Sequence, residues 1–119
     1  MAKRGEAMSA AMQEAVAAKF RALGEPARLA LLQLLMEGER SVGELVDASG
    51  FSQANVSKHL TTLAQAGFLV RRKSGTTVLY AIGDSVVNEL CDLMCRRVEA
   101  QAHASVRAIT GRTRRSGTG

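Results

Sequence analysis

Between Ser52 and Leu60 the chain reads Ser-Gln-Ala-Asn-Val-Ser-Lys-His-Leu. On a helix, Val56 and Leu60 share one face, and Ser52, Gln53, Asn55, Ser57, Lys58 and His59 occupy the remainder. These are amides, hydroxyls, one cation and one imidazole, with small Ala54 among them. A helix entering a DNA major groove needs that mix. Amides read adenine edges, hydroxyls take phosphates or bases, and Lys58 meets guanine or phosphate. A helix face that only meets water more often carries Glu–Lys pairs four residues apart. His59 has a second available role, packing beside Leu60 and Leu63.

The electrostatics agree with a polyanionic partner. The chain has 119 residues and a formal net charge of +5, from 16 Lys+Arg against 11 Asp+Glu. Part of that charge sits near the termini, at Lys3, Arg4, Arg107, Arg112, Arg114 and Arg115. The local pattern is more telling. No acidic residue occurs between Asp47 and Asp84, whereas Lys58, Arg71, Arg72 and Lys73 do. An acid-free surface is what phosphates select. The aromatics, Phe20, Phe51, Phe68 and Tyr80, all fall where core residues are expected. Single-strand binders stack bases on exposed aromatics, so double-stranded DNA is the favoured partner.

A second pair able to do chemistry is Cys91 and Cys95, the chain's two cysteines. Spaced i, i+4, they share a helix face. Two thiolates one turn apart can converge on a soft metal or metalloid. The competing reading is packing, because free cysteine is among the most buried residue types and both lie on an apolar stripe. A disulfide within the helix is disfavoured: helical i, i+4 Cβ atoms lie about 5–6 Å apart, and a disulfide needs roughly 3.5–4.5 Å. Asp92, Glu99 and His103 are expected on solvated faces.

Helix–turn–helix followed by hairpin is the framework that must position these groups. Residues 7–23 are helix-compatible, with Met8, Met12, Ala15, Lys19 and Leu23 on one face. Gly24-Glu25-Pro26 breaks the chain, and Pro26 suits the first turn of a helix over 26–37. There Leu29, Leu32, Leu35 and Met36 form the expected buried stripe. Ser41-Val42-Gly43-Glu44 is a capping-box pattern opening a short helix that Ser49-Gly50 stops. Ser52 can cap the next helix, and Gly67 ends it. Phe68–Arg72 and Thr77–Ile82 are β-prone around Ser74-Gly75, which gives a hairpin with a basic tip. Asp84 can cap a last helix running to about Ala108. Its stripe is Val87, Leu90, Cys91, Met94, Cys95, Val98 and Ala102. A chain this size cannot easily cover that stripe, which predicts a homodimer.

The expected organisation is a flexible 1–6, a single DNA-binding and dimerisation domain over 7–108, and a disordered basic tail over 109–119. No stretch reads as a targeting segment or a membrane span, so the expected location is cytoplasmic, with both cysteines reduced. Enzyme motifs are missing: there is no Gly-rich phosphate loop, no metal-hydrolase spacing and no Cys-x-x-Cys.

Several segments together resemble the ArsR/SmtB family of bacterial winged-helix repressors. They are Phe-Arg-Ala-Leu-Gly-Glu-Pro-Ala-Arg-Leu-Ala-Leu-Leu at 20–32, Ser-Val-Gly-Glu-Leu at 41–45 and Ser-Gln-Ala-Asn-Val-Ser-Lys-His-Leu at 52–60. Leu-Ala-Gln-Ala-Gly-Phe-Leu at 63–69 and Val-Arg-Arg-Lys-Ser-Gly-Thr-Thr-Val-Leu-Tyr at 70–80 complete the set. The resemblance implies a mainly α winged helix-turn-helix fold, α-α-α-α-β-β-α, dimerised through its first and last helices. It implies a recognition helix over 52–66 and a wing over 70–78, which brings Thr76 to the duplex beside Arg71, Arg72 and Lys73. Two recognition helices would read an inverted repeat about 34–36 Å apart, or a multiple of that.

Two family metal sites are missing from these positions. The thiolate pattern Glu-Leu-Cys-Val-Cys is replaced by Glu44-Leu45-Val46-Asp47-Ala48. The Asp-x-His zinc pattern is replaced by Asp84-Ser85-Val86, with Arg97 and Ala100 where later ligands would stand. No cofactor is implied with certainty. A soft metal or trivalent arsenic at Cys91 and Cys95 remains as an effector, because some relatives bind arsenic through cysteines of the last helix. The alternatives are a regulator with packed cysteines and another small-molecule effector, or a winged helix adapted to protein partners. The last would want an apolar or acidic recognition face, which this chain lacks.

Overall fold

Serine hydroxyls open three of the helices. The computed structural model describes residues 7–110; the segments 1–6 and 111–119, read above as loose termini, lie outside them. The first helix, α1 (Ala10–Leu23), begins where Ser9 Oγ accepts the Met12 N–H at 3.1 Å. α2 (Pro26–Met36) places Pro26 in its first turn. A two-residue strand, β1 (Arg40–Ser41), runs directly into α3 (Val42–Ser49). The capping box is reciprocal: Ser41 Oγ accepts the Glu44 N–H at 3.1 Å, and the Glu44 carboxylate accepts the Ser41 N–H at 2.8 Å. Gly50 then turns the chain through the left-handed region at φ 77°.

In α4 (Gln53–Gln65), Ser52 Oγ accepts the Asn55 N–H at 3.1 Å. The other end is a Schellman turn. Phe68 N–H donates to the Leu63 carbonyl and Gly67 N–H to the Ala64 carbonyl, both at 3.0 Å. Gly67 carries the φ of 88° that this geometry needs. Leu63 and Phe68, the residues the motif pairs, are both buried.

β2 (Leu69–Ser74) and β3 (Thr77–Ile82) are antiparallel and joined through Gly75-Thr76. The sheet order is β1-β3-β2. Arg40 and Arg71 both stand opposite Tyr80, and Ser41 and Arg72 both stand opposite Leu79. The hairpin read from the sequence is thus two strands of a three-stranded sheet. β1 escaped notice because two residues are too few to show alternation.

The core of the unit ending at Asp84 is built by Leu31, Leu32 and Leu35 of α2, Leu45 of α3, and Val56, Leu60 and Leu63 of α4, with Phe68, Leu69 and Tyr80. Four expected core residues lie outside it: Leu29 is 42% exposed and Phe20 57% exposed, and Met36 and Phe51 are half-buried. The buried face of α2 is centred between Leu31 and Leu35, and Leu29 lies about 140° around the helix from that centre. Met8 and Met12 are exposed as well.

The second unit, beginning at Ser85, is α5 (Val86–Thr110). Its first backbone bonds go from Asn88 and Glu89 to the Ser85 carbonyl, at 3.0 and 3.3 Å. The helix includes Ile109 and Thr110, which the sequence reading assigned to the tail. Val87 is buried, Leu90 and Cys91 are half-buried, and Met94, Cys95, Val98 and Ala102 are exposed.

Candidate nucleic-acid interface

Two cations from earlier helices hold α4 in place. The Lys19 ammonium donates to the Ala66 carbonyl at the C-terminal end of α4, where the helix dipole favours positive charge. It also stands 5.6 Å from the centre of the Phe68 ring, within cation–π range. Arg28 of α2 gathers three groups. Its Nε donates to the Ala22 carbonyl at 2.6 Å and its Nη2 to the Arg21 carbonyl at 3.1 Å. Its Nη1 reaches His59 Nδ1 at 3.2 Å. One part-buried guanidinium therefore ties the end of α1 to the middle of α4.

That contact fixes the state of His59. Arginine only donates, so Nδ1 accepts and the ring proton sits on Nε2. Burial, then the charges of Arg28 and Lys58, hold the imidazole pKa below its usual value of 6.5. His59 is half-buried, with Nδ1 bonded to Arg28 and the Nε2 proton left to donate.

The outward face of α4 is otherwise as the sequence spacing suggested. Ser52, Gln53, Asn55 and Lys58 are exposed, and Ser57 is half-buried. Ser52 Oγ spends its acceptor on the Asn55 N–H but keeps its proton to donate. The wing places Arg71, Arg72, Lys73 and Thr76 in solvent. One expectation changes here. The surface is not acid-free, because Glu39 folds onto the wing and forks Arg72 at 2.7 and 2.8 Å. The window from Asp47 to Asp84 stopped short of this acid, which is distant in sequence from the wing and arrives through β1. Lys19 and Arg28 were also missed as positioning residues. Their one visible signal is a cation within or beside an apolar stripe.

Cys91 and Cys95 are both free thiols on α5, the first half-buried and the second exposed. Burial, and secondarily the neighbouring Cys95, push the Cys91 thiol pKa up. Among the described residues no cluster of three or more His, Cys, Asp or Glu could hold a metal.

A helix-turn-helix showing amides, hydroxyls and a lysine, with a basic two-stranded wing beside it, defines a winged helix-turn-helix DNA-binding protein. Comparison with known proteins narrows this. The family model "Bacterial regulatory protein, arsR family" matches residues 25–70. A probable mercury resistance operon repressor of Streptomyces lividans is 39% identical over 91 residues, covering 76% of this chain and 72% of the relative. The transcriptional repressor SmtB of Mycobacterium tuberculosis is 40% identical over 90 residues, covering 76% of this chain and 62% of the relative. A solution structure from Mycobacterium bovis, a homodimeric winged helix-turn-helix DNA-binding domain of a possible ArsR-family regulator, superposes with a TM-score of 0.70. It is 33% identical and covers 87% of this chain and 93% of that one. The chain belongs to the ArsR family of bacterial transcriptional regulators. Proteins of this family bind DNA and are not enzymes. Among the described residues no helix is long and apolar enough to cross a membrane.

Proposed function

We propose that this protein is a homodimeric repressor that binds an inverted-repeat operator and releases it when a soft, thiol-seeking ion binds at Cys91 and Cys95. The observation that carries the DNA reading is the outward face of α4, with Ser52, Gln53, Asn55 and Lys58 exposed and the basic wing following it. In this reading Gln53 and Asn55 read base edges, Ser52 and Ser57 take phosphate or base, and Lys58 takes guanine or phosphate. Arg71, Lys73 and Thr76 meet the duplex backbone. His59 supports α4 from behind through Arg28.

The dimer is supported by apolar surface a single chain leaves bare. Met12 and Phe20 on α1, and Leu93, Met94, Val98, Val106 and Ile109 on α5, are all exposed. The Mycobacterium bovis relative is a homodimer.

The effector reading rests on donor chemistry. Each chain offers two thiols four residues apart and no third ligand beside them among the described residues. Sulfur donors select soft ions over hard ones. The Streptomyces relative is described as a mercury resistance repressor, consistent with that class. Binding would displace the thiol protons, so with the Cys91 pKa raised the apparent ion affinity should climb with pH.

The test is fluorescence anisotropy of the fully reduced protein on the duplex upstream of its own gene, with arsenite or mercuric ion added. The expected result is tight binding that the ion reverses in the wild type and not in Cys91→Ser/Cys95→Ser. A coupling of about 1–3 kcal/mol corresponds to a 5–150-fold loss of operator affinity. Binding that neither ion disturbs would leave the DNA reading standing and return the cysteines to packing or to another effector.

A further inference from the structure

Arg72 lies between Arg71 and Lys73 in the wing's basic run, yet it alone of the three has an anionic partner among the described residues. Glu39 comes from the segment before β1, at one edge of the sheet, whereas Arg72 belongs to β2 at the other edge. Ser41 and Arg72 flank the same residue of the central strand, Leu79, so the carboxylate spans β3 to reach the guanidinium. The geometry is bidentate: Nε donates to Oε2 at 2.7 Å and Nη2 to Oε1 at 2.8 Å. A guanidinium offers this same planar fork to a phosphate. A carboxylate already in the fork occupies the place a DNA phosphate would take.

We propose that Glu39 acts as an internal stand-in for phosphate, holding Arg72 out of contact with the duplex so that the wing neutralises one phosphate fewer than its charge allows. This rests on the reading in which the wing meets the DNA backbone. The hydrogen bond from Arg72 holds the Glu39 carboxyl below the usual carboxylate range, so Glu39 is charged wherever the protein would meet DNA. Strand alternation sets Arg71 and Lys73 on the opposite face of β2 from Arg72. The run therefore divides into two cations available to DNA and one engaged internally. Sequence-independent affinity follows the number of phosphates neutralised. The consequence is weaker residence on random DNA than the wing's composition suggests.

The experiment measures affinity for a random-sequence duplex between about 50 and 200 mM salt, where phosphate contacts are read from the slope of log K against log salt. Glu39→Gln keeps the side-chain shape and removes the charge. It is expected to tighten binding roughly three- to tenfold near physiological salt and to steepen the slope by about 0.9, the value of one added contact. Glu39→Gln/Arg72→Ala, which removes the neutral pair as a whole, is expected to match wild type in both. Arg71→Ala is expected to weaken binding and flatten the slope. An unchanged slope in Glu39→Gln overturns the proposal. So does a flatter slope in the double variant, which would mean Arg72 already touches phosphate. A double variant that tightens binding as much as Glu39→Gln does also overturns it, because Glu39 would then act by charge alone. If Arg71→Ala instead binds like wild type, the wing is not at the backbone, and the underlying reading fails together with the role of Glu39.

Discussion

His59 and Arg28 show how one side chain on a polar helix face can serve the fold. The imidazole lies among exposed polar residues of α4, but its Nδ1 is committed to Arg28 at 3.2 Å. Protonation would place a second positive charge against that guanidinium. The pKa of the folded state is below the ordinary 6.5, so the unfolded chain takes up the proton first as pH falls. The stabilisation is therefore complete above about pH 6.5 and is lost as pH drops through the folded value. Urea midpoints of the wild type should fall as the pH is lowered from 7.5 toward the folded pKa. In His59→Asn, whose amide oxygen can still accept from Arg28 without titrating, this component should vanish. An identical pH dependence in the two proteins would show that His59 is not the titrating group.

The helices of this chain are set by their ends. Ser41, Glu44, Ser52, Gly50 and Gly67 could be assigned roles from the sequence because a cap needs a given residue type at a given offset. Each of those roles appears in the structure. What could not be read were contacts between elements. β1 is two residues long, and the links of Glu39 to Arg72, Lys19 to Ala66 and Arg28 to His59 join residues 33, 47 and 31 apart. No local periodicity marks such pairs. The misplacement of Leu29 and Phe20 has a related cause, since an apolar residue at helical spacing does not announce whether its own chain or another covers it. The end of α4 can be tested directly. Gly67→Ala forces a Cβ into φ 88° and should destabilise the fold by about 1–2 kcal/mol. Gly43→Ala is its control. The new Cβ meets nothing nearer than Ser41 Oγ at 3.9 Å, so this change should stabilise by up to about 1 kcal/mol. Equal effects of the two substitutions in thermal or urea denaturation would deny Gly67 its left-handed role.

At the scale of the whole molecule, the distribution of apolar surface and that of positive charge make complementary demands. Met94 is 63% and Ile109 is 84% exposed in the single chain. An apolar face of this kind marks an interaction surface. The basic wing and the polar face of α4 ask for a duplex. A symmetric dimer meets both demands, because a two-fold axis through the apolar helices duplicates the recognition helix. The family match and the homodimeric relative point the same way.

The most direct test of that claim is a stoichiometric anisotropy titration of the reduced protein on the duplex upstream of its own gene. A scrambled duplex of equal length serves as the control, and both are followed between about 50 and 200 mM salt. The expected result is saturation at two chains per site, binding at least about a thousandfold tighter than to the scrambled duplex, and a steep loss of affinity for both as salt rises. Equal affinity for the two duplexes, or binding indifferent to salt, would contradict sequence reading by α4 and the wing.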